Sequence, residues 1–519
     1  MNILGISCFC YNSAACLLRD GEIVAAVREE RFSRRKYDSR FPRQAIDWCL
    51  NYGGVNLNGL DYIACSLDNI AGKLMASCNF GLTFGAKTKF FPPRDSFLSG
   101  AFYPSPFNES AILVNAAGAR PLFGHGIGNR IHKLDKANYK FSLGLLYSAV
   151  SRYLGFNNYG DEFKVMGLAA YGKPKYKDII LKYKEKSPFY LSERRKGFSS
   201  FLAWSRGPGG ITQYHMDVAA SLQEAASQEV LQITQGLHKE TKSDNLCLAG
   251  DLALNCLINS DIIRQGLFKN IWIQPASDNA GRAVGAALSV WYENNGRDAG
   301  RLNDMMQGSL LGPAYSDAYI ESFLKKAGAS YRRLADSEIA VAGSDLIARG
   351  KIVGWFQGKA EFGPRALGDR SILGDSRDLS MPKKLNLEVK MREPFRPFAP
   401  SVLWEKSGEY FDFDRESPYM LFTAKARANK KNEIPAVVHA DGSSRLQTIK
   451  KEDNPLFYDL LNEFYKKTGC PVIINTSFNA GREPMVLTPE DAYRCFKSAK
   501  IDCLFLGPFL LEKSPPGCG

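Results

Sequence analysis

Apolar residues in the first 30 positions form three short runs with polar punctuation between them. The runs cover residues 3–9, 12–18 and 22–27, and Asp20-Gly21 separates the second from the third. An Asp-Gly pair between two apolar runs of this length is a strong signal for a tight β-turn. The chain is therefore predicted to open with strands joined as a hairpin, followed by a helix near residues 42–50 and a strand at 61–66.

Further along, the apolar pattern alternates between helical and strand periodicity. Residues 142–172 predict two helices, and residues 217–240 predict one long amphipathic helix. Strands are predicted at 245–251 and 270–277, each followed by a helix. Alternation of strand and helix indicates an α/β fold. A hairpin-first sheet with a later strand–helix block suggests a duplicated nucleotide-binding fold of the actin–hexokinase (ASKHA) type.

The second half begins after a segment rich in Gly, Pro and Ser without helical period. This segment predicts a linker at residues 309–318, between an N-terminal domain at 1–308 and a C-terminal domain at 319–519. Residues 351–357 predict a short buried strand. Residues 471–479 predict another, whose end presents Ser477 and Asn479, and polar groups at the end of a buried strand often line a site.

Composition narrows the class of protein. A chain of 519 residues is too long for one core, and 45% hydrophobic with 23% charged residues is typical of a soluble protein. The net charge of +13 permits an acidic partner, but the basic residues are not gathered in one run, so we expect no nucleic acid. No apolar stretch is long enough to span a membrane. The 12 scattered cysteines and the absence of a signal-peptide pattern predict a cytoplasmic protein.

The most informative stretch is residues 361–400, where basic residues alternate with Gly and Pro. Among its cations are Arg365, Arg370, Lys390, Arg392 and Arg396. Glycine allows close approach of a backbone to a ligand, and the planar guanidinium suits phosphate oxygens. The stretch predicts a strand followed by a rigid cationic turn that binds phosphate. The alternative is a basic surface loop with scattered salt bridges.

A second polar turn follows at residues 436–447. It offers His439, Asp441 and Arg445. A buried His439 beside Asp441 could transfer protons, and a structural hydrogen bond to the turn explains the pair equally well.

Eight sequence motifs together resemble one known family, the O-carbamoyltransferases of antibiotic and nodulation-factor biosynthesis. They are EERFSRRKYD, SLGLLY, KVMGLAAYG, LALNC, EFGPRALGDRSIL, VKMREPFRPFAP, HADGSSRLQT and NTSFNAGREPMVLTPEDA. The resemblance runs nearly end to end. It implies an N-terminal domain like the ATPase of tRNA threonylcarbamoylation and a C-terminal YrdC-like α/β domain, the fold of threonylcarbamoyl-AMP synthase.

The resemblance also implies chemistry for the second domain. Family members form carbamoyl-adenylate from carbamoyl phosphate and ATP (with Mg²⁺), then pass the carbamoyl group to a hydroxyl at a metal-bearing N-terminal site. Residues that match positions expected to hold carbamoyl phosphate and nucleotide are Arg365, Arg370, Lys390, Arg396, Arg445, Ser477 and Asn479. We expect Arg365, Lys390 and His439 to be catalytic.

In the N-terminal domain the chain departs from the family pattern. The family's His-Asp pair after the opening strand is Tyr11-Asn12, and its two metal-binding histidines align with Arg94 and Phe97. Its two aspartates align with Asn115 and Asn279, although Asp278 stands beside the latter and could substitute for it after a shift of one residue. Its paired glycines before LALNC are Gly250-Asp251. Neutral and cationic side chains cannot replace these ligands, so no N-terminal Fe or Zn is expected.

The leading hypothesis is an ATP-dependent, carbamoyltransferase-like enzyme that forms an acyl-adenylate and transfers the acyl group without the family metal. Its acceptor would be a small molecule or a carrier-bound intermediate of natural product biosynthesis, and a homodimer is possible. One alternative is an ATP-dependent amide-forming, ligase or cyclase enzyme. The other is a non-catalytic, partner-binding relative with a degenerate N-terminal half.

Overall fold

The computed structural model describes residues 1–67, 72–73, 75, 87–135, 142–186, 210–297 and 302–513. The chain forms two compact units. The first contains residues 1–29 and 37–305, and the second contains residues 30–36 and 306–519. The placement of residues 30–36 with the second unit was not anticipated from the sequence. No helix within the described ranges has the length and apolar character needed to cross a membrane.

The first unit opens with the predicted hairpin. Its five-stranded sheet has the order β3-β2-β1-β4-β5, with antiparallel pairing of the first three strands and parallel pairing of β1, β4 and β5. The strands are β1 (Asn2–Ser7), β2 (Ala14–Arg19), β3 (Glu22–Arg28), β4 (Tyr62–Ser66) and β5 (Thr88–Phe91). Asp20 and Gly21 both have positive φ, at +51° and +89°. That conformation is the one a two-residue hairpin turn requires.

A second five-stranded sheet repeats the same arrangement. Its order is β10-β9-β6-β7-β8, an antiparallel meander of β6, β7 and β8 extended by the parallel strands β9 and β10. The strands are β6 (Glu109–Val114), β7 (Leu122–Ile127), β8 (Arg130–Leu134), β9 (Asn245–Ala249) and β10 (Asn270–Ile273). The repeated topology confirms the predicted duplicated fold of the actin–hexokinase type.

Helices cover these sheets, and glycine allows the closest contacts between them. A Cβ at Gly285 would lie 1.9 Å from the Ser96 carbonyl oxygen, and one at Gly5 would lie 2.1 Å from that of Ala283. The helices described in or next to this unit are α1 (Glu29–Ser33), α2 (Arg43–Tyr52), α3 (Pro93–Phe102), α4 (Leu143–Tyr153), α5 (Glu162–Ala169), α6 (Lys177–Lys186), α7 (Gln213–Thr241), α8 (Cys256–Gln265) and α9 (Gly281–Asn294), with 3₁₀ turns at Leu57–Gly59 and Asp251–Leu254.

The second unit is built on one ten-stranded mixed sheet. The order is β11-β20-β19-β12-β13-β18-β14-β17-β16-β15. The strands are β11 (Arg332–Arg333), β12 (Val353–Phe356), β13 (Arg370–Asp375), β14 (Ala399–Leu403), β15 (Phe411–Asp412), β16 (Phe422–Ala426), β17 (Ser443–Ile449), β18 (Val472–Ser477), β19 (Cys503–Leu506) and β20 (Phe509–Glu512). This α/β architecture is compatible with the predicted YrdC-like domain.

The core of the second unit lies between this sheet and its helices. Trp355, Phe457, Phe464 and Phe505 are all fully buried there. The helices are α10 (Asp317–Lys326), α11 (Asp336–Ala348), α12 (Met381–Lys384), α13 (Trp404–Tyr410), α14 (Pro455–Thr468) and α15 (Pro489–Ser498), with a π-helix at Leu385–Val389 and 3₁₀ turns at Gln307–Ser309 and Pro435–Val437.

Residues 361–400 are not the single rigid turn that the sequence analysis predicted. The stretch includes β13, α12, the π-helix and the start of β14. Apolar side chains hidden among the cations, such as Leu373, Leu385 and Val389, are fully buried in the core. Part of the predicted loop therefore forms regular structure. Arg370 begins β13, whereas Arg365, Arg392 and Arg396 lie outside the helices and strands.

Candidate functional site

A buried polar network ties together three neighbouring strands of the second unit. Asn475 Nδ2 donates to Ser401 Oγ at 3.1 Å and to Gln447 Oε1 at 2.9 Å, and Ser401 Oγ donates to the same oxygen at 2.6 Å. All three side chains are almost fully buried. Because side chains two residues apart share one face of a strand, this network fixes the face that also carries Arg445 and Ser477.

The end of β18 meets a buried lysine. Lys390, 4% exposed, donates from Nζ to the Asn479 backbone oxygen and to Asn479 Oδ1, each at 3.0 Å, and to the Ser477 backbone oxygen. Ser477 Oγ in turn donates to Asn479 Oδ1 at 2.8 Å. Lys390, distant in sequence, thus forms one hydrogen-bonded group with Ser477 and Asn479. Burial first, and then the neighbouring Arg392, hold the pKa of Lys390 well below its usual value.

Arg392 stands next to this group. Its guanidinium lies 4.8 Å from the ring centroid of Phe398, and its Nε donates to Asn386 Oδ1 at 2.7 Å. No carboxylate lies within 4 Å of it among the residues that the structure describes. Burial, followed by repulsion from Arg396 and Arg445, lowers the pKa of Arg392 to about 8. Such crowding of like charges favours binding of an anion.

Asn386 fixes the turn that carries these arginines. It is fully buried in the π-helix and donates from Nδ2 to the backbone oxygens of Arg396, at 3.0 Å, and Pro394, at 3.3 Å. Arg396 Nη1 lies 3.7 Å from Glu393 Oε2. π-helical turns are rare in proteins, and those that occur are often found at functional sites. The turn is therefore held in place by a side chain that is buried in the protein interior.

The loop before β13 is organised by one carboxylate. Glu361 Oε1 accepts hydrogen bonds from the backbone N–H groups of Leu367, Asp369 and Arg370, at 2.8, 3.0 and 3.2 Å. Arg365 lies within this loop and is half-buried. Gln447 of the polar network donates to the Leu367 backbone oxygen at 2.8 Å. The loop that carries Arg365 is thus attached to the same strands that carry Arg445 and Ser477.

Arg370 differs from the other predicted binding residues. It is fully buried, its guanidinium lies 3.7 Å from the ring centroid of Phe356, and it donates to the backbone oxygens of Gln357, Pro313 and Gly358. Its donors stabilise the fold of the loop. Its contacts give no support to the predicted role in binding, because a side chain enclosed in this way presents no donor to a ligand.

His439 lies beside the arginine turn. Its Nδ1 is 3.9 Å from Asp441 Oδ1, which is too long for a hydrogen bond. Burial lowers the pKa of His439, and Asp441 and the backbone of Phe395 partly offset that effect. Asp441 itself accepts from the N–H and Oγ of Ser443, at 2.9 and 2.7 Å. A structural role of Asp441 in the turn is therefore visible, whereas a His439–Asp441 proton relay is not formed in this geometry.

In the first unit, Tyr11 and Asn12 stand beside no metal-binding group of His, Cys, Asp or Glu side chains within the part of the chain that the structure describes. Asn12, 2% exposed, donates from Nδ2 to Asp278 Oδ2 at 3.0 Å, and Arg28 Nη2 donates to the same oxygen at 2.7 Å. Asp278 is therefore already neutralised by a buried guanidinium. Tyr11 is 49% exposed and stacks on Tyr159, with 3.9 Å between ring centroids.

A second buried guanidinium lies among the predicted degenerate positions. Arg282 Nη1 donates to Asn279 Oδ1 at 3.1 Å, and its Cζ lies 5.6 Å from the ring centroid of Phe97. Its Nε and Nη2 donate to Ser66 Oγ and to the Ser66 backbone oxygen. Two of the positions that the resemblance assigns to the metal thus contact a permanent cation. A divalent cation at this point would meet charge repulsion.

The remaining positions also lack metal-binding geometry. Arg94 is largely exposed and lies 3.8 Å from Asp95, and Asn115 is buried at the end of β6. Asp251 accepts from the Ala117 N–H at 2.8 Å, and burial, followed by Asp278, raises the pKa of its carboxyl to about 6. Across the described ranges, no cluster of three or more His, Cys, Asp or Glu side chains could hold a metal ion.

Sequence reasoning missed several residues that the structure brings to these sites. Arg392 was noted in the basic stretch but not assigned to the site, although its spacing from Arg396 and Phe398 was a usable signal.

Arg28 and Arg282 could not be recognised, because only the fold brings them to Asp278 and Asn279. Arg34, which contacts the turn after β18, lies in a motif with no evident chemistry of its own.

Comparison with protein families gives two matches, one in each half of the chain. Residues 2–79 and 82–288 match the carbamoyltransferase N-terminus, and residues 344–513 match the carbamoyltransferase C-terminus. Together they cover most of the chain. This confirms the family resemblance inferred from the eight motifs.

Individual relatives agree with the family matches. The chain is 41% identical to the uncharacterized protein sll1178 of Synechocystis, over 99% of this chain and 97% of that one. It is 36% identical to the nodulation protein NolNO of Sinorhizobium fredii, over 97% of this chain and 79% of that one. Among solved structures, component A of (R)-2-hydroxyglutaryl-CoA dehydratase from Acidaminococcus fermentans is 15% identical, covers 57% of this chain and 100% of its own, and has a TM-score of 0.36. That score is too low to carry an argument.

The two family matches and the full-length relatives show that the chain belongs to the carbamoyltransferase family, a family of enzymes that transfer a carbamoyl group.

Proposed function

We propose that the second unit forms carbamoyl-AMP from carbamoyl phosphate and ATP, and that the carbamoyl group then passes to an acceptor. One observation carries the proposal. The positive charges of Arg392 and Arg396 act on Lys390 at the end of β18, and burial, followed by repulsion from Arg396 and Arg445, lowers the pKa of Arg392 to about 8. Joining an acyl phosphate to a nucleotide brings several phosphate charges together, and fixed cations stabilise that charge.

The proposed reaction first activates the carbamoyl group as an adenylate and then transfers it to an acceptor. Water first cleaves carbamoyl phosphate to carbamate and inorganic phosphate. A carbamate oxygen then bonds to the α-phosphorus of ATP, and pyrophosphate leaves. An acceptor hydroxyl oxygen then bonds to the carbamoyl carbon, loses its proton, and AMP leaves. In this scheme Arg365 and Lys390 stabilise developing negative charge, Arg396 and Arg445 hold the phosphates, and Ser477 and Asn479 orient the ligand. His439 is the proposed proton carrier.

For the first unit we propose carbamoyl transfer without the family metal. The supporting observation is the chemistry of the side chains at the matching positions. Asp278 is neutralised by Arg28, and Asn279 and Phe97 contact the Arg282 guanidinium. These residues do not fit a divalent iron or zinc ion, because that ion needs anionic or imidazole ligands.

The proposed acceptor is a small molecule or a carrier-bound intermediate of natural product biosynthesis, such as antibiotic biosynthesis. Family membership and the altered first unit support a transfer step adapted to a particular acceptor. A homodimer, a cytoplasmic location and the absence of a nucleic acid partner remain predictions.

Product analysis tests the proposed function. The full-length protein, given ATP, Mg²⁺ and carbamoyl phosphate, should release pyrophosphate, and Arg365→Ala should abolish that release without lowering the unfolding temperature. The matched control is Arg332→Ala, an exposed arginine at the sheet edge. Pyrophosphate release only with another acid would favour the ligase or cyclase alternative. Absence of nucleotide binding would favour the partner-binding alternative.

A further inference from the structure

A short segment of the N-terminal half belongs to the second unit. Residues 30–36 separate two parts of the first unit in the chain but make their contacts with residues 306–519. Arg31, which is 5% exposed, donates from Nη2 to the Gly363 backbone oxygen at 2.8 Å. Gly363 stands two residues before Arg365. The segment therefore touches the loop that carries a proposed catalytic arginine.

Arg34 contacts the turn that follows β18. Its Nη1 donates to the Met485 backbone oxygen at 2.7 Å, and its Nη2 donates to that of Pro484 at 2.8 Å. Its guanidinium also lies 3.5 Å from Asp491 and 3.6 Å from Glu483. A planar guanidinium can satisfy two such acceptors at once, which a lysine cannot do with the same geometry.

Residues 484–485, which accept hydrogen bonds from Arg34, belong to the same turn that hydrogen-bonds Asn479. Asn479 Nδ2 donates to the Glu483 backbone oxygen at 2.8 Å, and the Ala480 N–H donates to Glu483 Oε1 at 3.0 Å. The Oδ1 of the same Asn479 accepts from Lys390 Nζ at 3.0 Å. A continuous chain of hydrogen bonds and backbone thus leads from Arg34 through residues 483–485 to Asn479 and Lys390.

The backbone of Arg34 is also unusual. Its φ is +56°, a left-handed conformation that costs a non-glycine residue energy. Such a conformation persists where surrounding contacts over-determine it. Here the two carbonyl oxygens and two carboxylates around the guanidinium supply those contacts.

We propose that Arg34 is a positioning residue for the phosphate pocket: by fixing residues 483–485 it fixes Asn479, and through Asn479 it holds Lys390. The proposal rests on the proposed function of that pocket. It assigns to the EERFSRRK motif a role in the activation half of the reaction, although the motif lies in the N-terminal half of the chain.

The first experiment compares two adjacent arginines in the full-length protein. Arg34→Gln should raise the KM for carbamoyl phosphate in pyrophosphate release about tenfold or more. Arg35→Gln removes the same charge from an exposed neighbour and should change the KM less than about twofold. Arg34→Lys keeps the charge with one point donor and should lie between them. Equal KM values for the Arg34 and Arg35 variants at unchanged unfolding temperature would overturn the proposal.

A double-mutant cycle separates positioning from general stabilisation. If Arg34 acts through Asn479, adding Arg34→Gln to Asn479→Ala should worsen the KM less than about twofold further. The Arg35→Gln change should combine with Asn479→Ala additively. Fully multiplicative effects of Arg34→Gln and Asn479→Ala would show that Arg34 acts elsewhere, and would overturn the proposal.

The experiments distinguish failure of the positioning role of Arg34 from failure of the proposed function. Turnover by the unmodified protein with no effect of Arg34→Gln overturns only the role of Arg34. If the unmodified protein shows no turnover, calorimetric binding of pyrophosphate replaces KM, and weaker binding by Arg34→Gln than by Arg35→Gln supports the positioning role. Absence of pyrophosphate binding by the unmodified protein overturns both the pocket and the proposal.

Discussion

The buried ammonium group of Lys390 donates to the side-chain oxygen of Asn479, 3.0 Å away. All its described hydrogen-bond acceptors are neutral oxygens, from Ser477 and Asn479. When this buried lysine is protonated, its neutral partners leave the positive charge uncompensated, and that charge favours an anionic ligand. The end of β18 is therefore a favourable position for an anion.

Replacing this charge should abolish activity without harming the fold. Lys390→Met should reduce pyrophosphate release by about 100-fold or more, the loss found for a single preorganised electrostatic group. Its unfolding temperature should stay the same or rise, because a buried charge is replaced by an apolar chain of similar length. Lys383→Met, at an exposed position, is the control. Loss of less than about threefold in the Lys390 variant would contradict the assignment.

The depressed pKa of Lys390 predicts opposite effects of pH on binding and stability. Its ammonium group loses its proton in the folded state below the usual lysine value of about 10.4. Carbamoyl phosphate binding should therefore weaken as pH rises through this lowered value. Stability should rise over the same window, since the unfolded chain then binds more protons than the folded one.

The check is kcat/KM for carbamoyl phosphate and the unfolding temperature, both measured against pH. The alkaline fall in kcat/KM should disappear in Lys390→Arg if that variant remains active, because arginine stays charged. An alkaline limb unchanged by that substitution would assign the titration to another group.

Arg392 should contribute directly to phosphate affinity. Arg392→Gln should weaken pyrophosphate binding about tenfold, in line with loss of one charge-assisted hydrogen bond. Arg392→Lys should restore it only in part, because lysine loses both the planar contact with Phe398 and the Nε donor to Asn386. Calorimetry measures both variants against Arg332→Gln, and full affinity in Arg392→Gln would exclude the residue from the pocket.

We expect the purified protein to contain no family metal in its first unit. Elemental analysis of the full-length protein should find iron and zinc far below one atom per chain, because Arg28 and Arg282 supply the buried positive charge there. Arg282→Gln tests the same point from the other side: removal of the cation should slow acceptor-dependent AMP release more than pyrophosphate release. Stoichiometric iron or zinc in the unmodified protein would show that the metal positions were wrongly aligned.

Asp369 should make the second unit less stable as pH rises. Burial, and then the nearby Glu361 carboxylate, raise the pKa of Asp369 above that of an exposed aspartate. The folded state therefore binds more protons than the unfolded state above about pH 4, so this contribution to stability falls until the raised pKa is passed. Asp369→Asn can still accept from Asn454, 3.0 Å away.

The unfolding temperature of Asp369→Asn should accordingly exceed that of the unmodified protein at about pH 8, by a stabilisation of roughly 1 kcal/mol or more. At about pH 5 the difference should shrink. Asp412→Asn, at an exposed position, should show no such dependence. An equal gain at both values of pH would contradict the raised pKa.

The sequence alone determined the fold class and most elements. The Asp20-Gly21 turn fixed the opening hairpin, because few residues other than glycine accept its left-handed backbone. Apolar periodicity located the long helix α7 and the strands β9 and β18 to within a few residues. These features could be predicted because they depend on residues that are close together in the chain.

The candidate site was predicted only in part for the opposite reason. The sequence identified Lys390, Ser477 and Asn479 separately, but their contact across about 90 residues depends on the order of strands in the sheet. The same local pattern of arginine and glycine gave no sign that Arg370 would be enclosed by backbone oxygens while Arg392 would be crowded by other cations.

The sequence by itself therefore determined which residues could bind phosphate, and the motifs determined the family. Only the tertiary structure decided that Arg370 is enclosed by backbone oxygens. It also decided that Asp278 is neutralised by Arg28 and that Arg34 belongs to the second unit. The physical reason is that charge and hydrogen-bonding capacity are properties of a residue. Burial, repulsion and the satisfaction of donors are properties of its neighbours, and the fold chooses those neighbours.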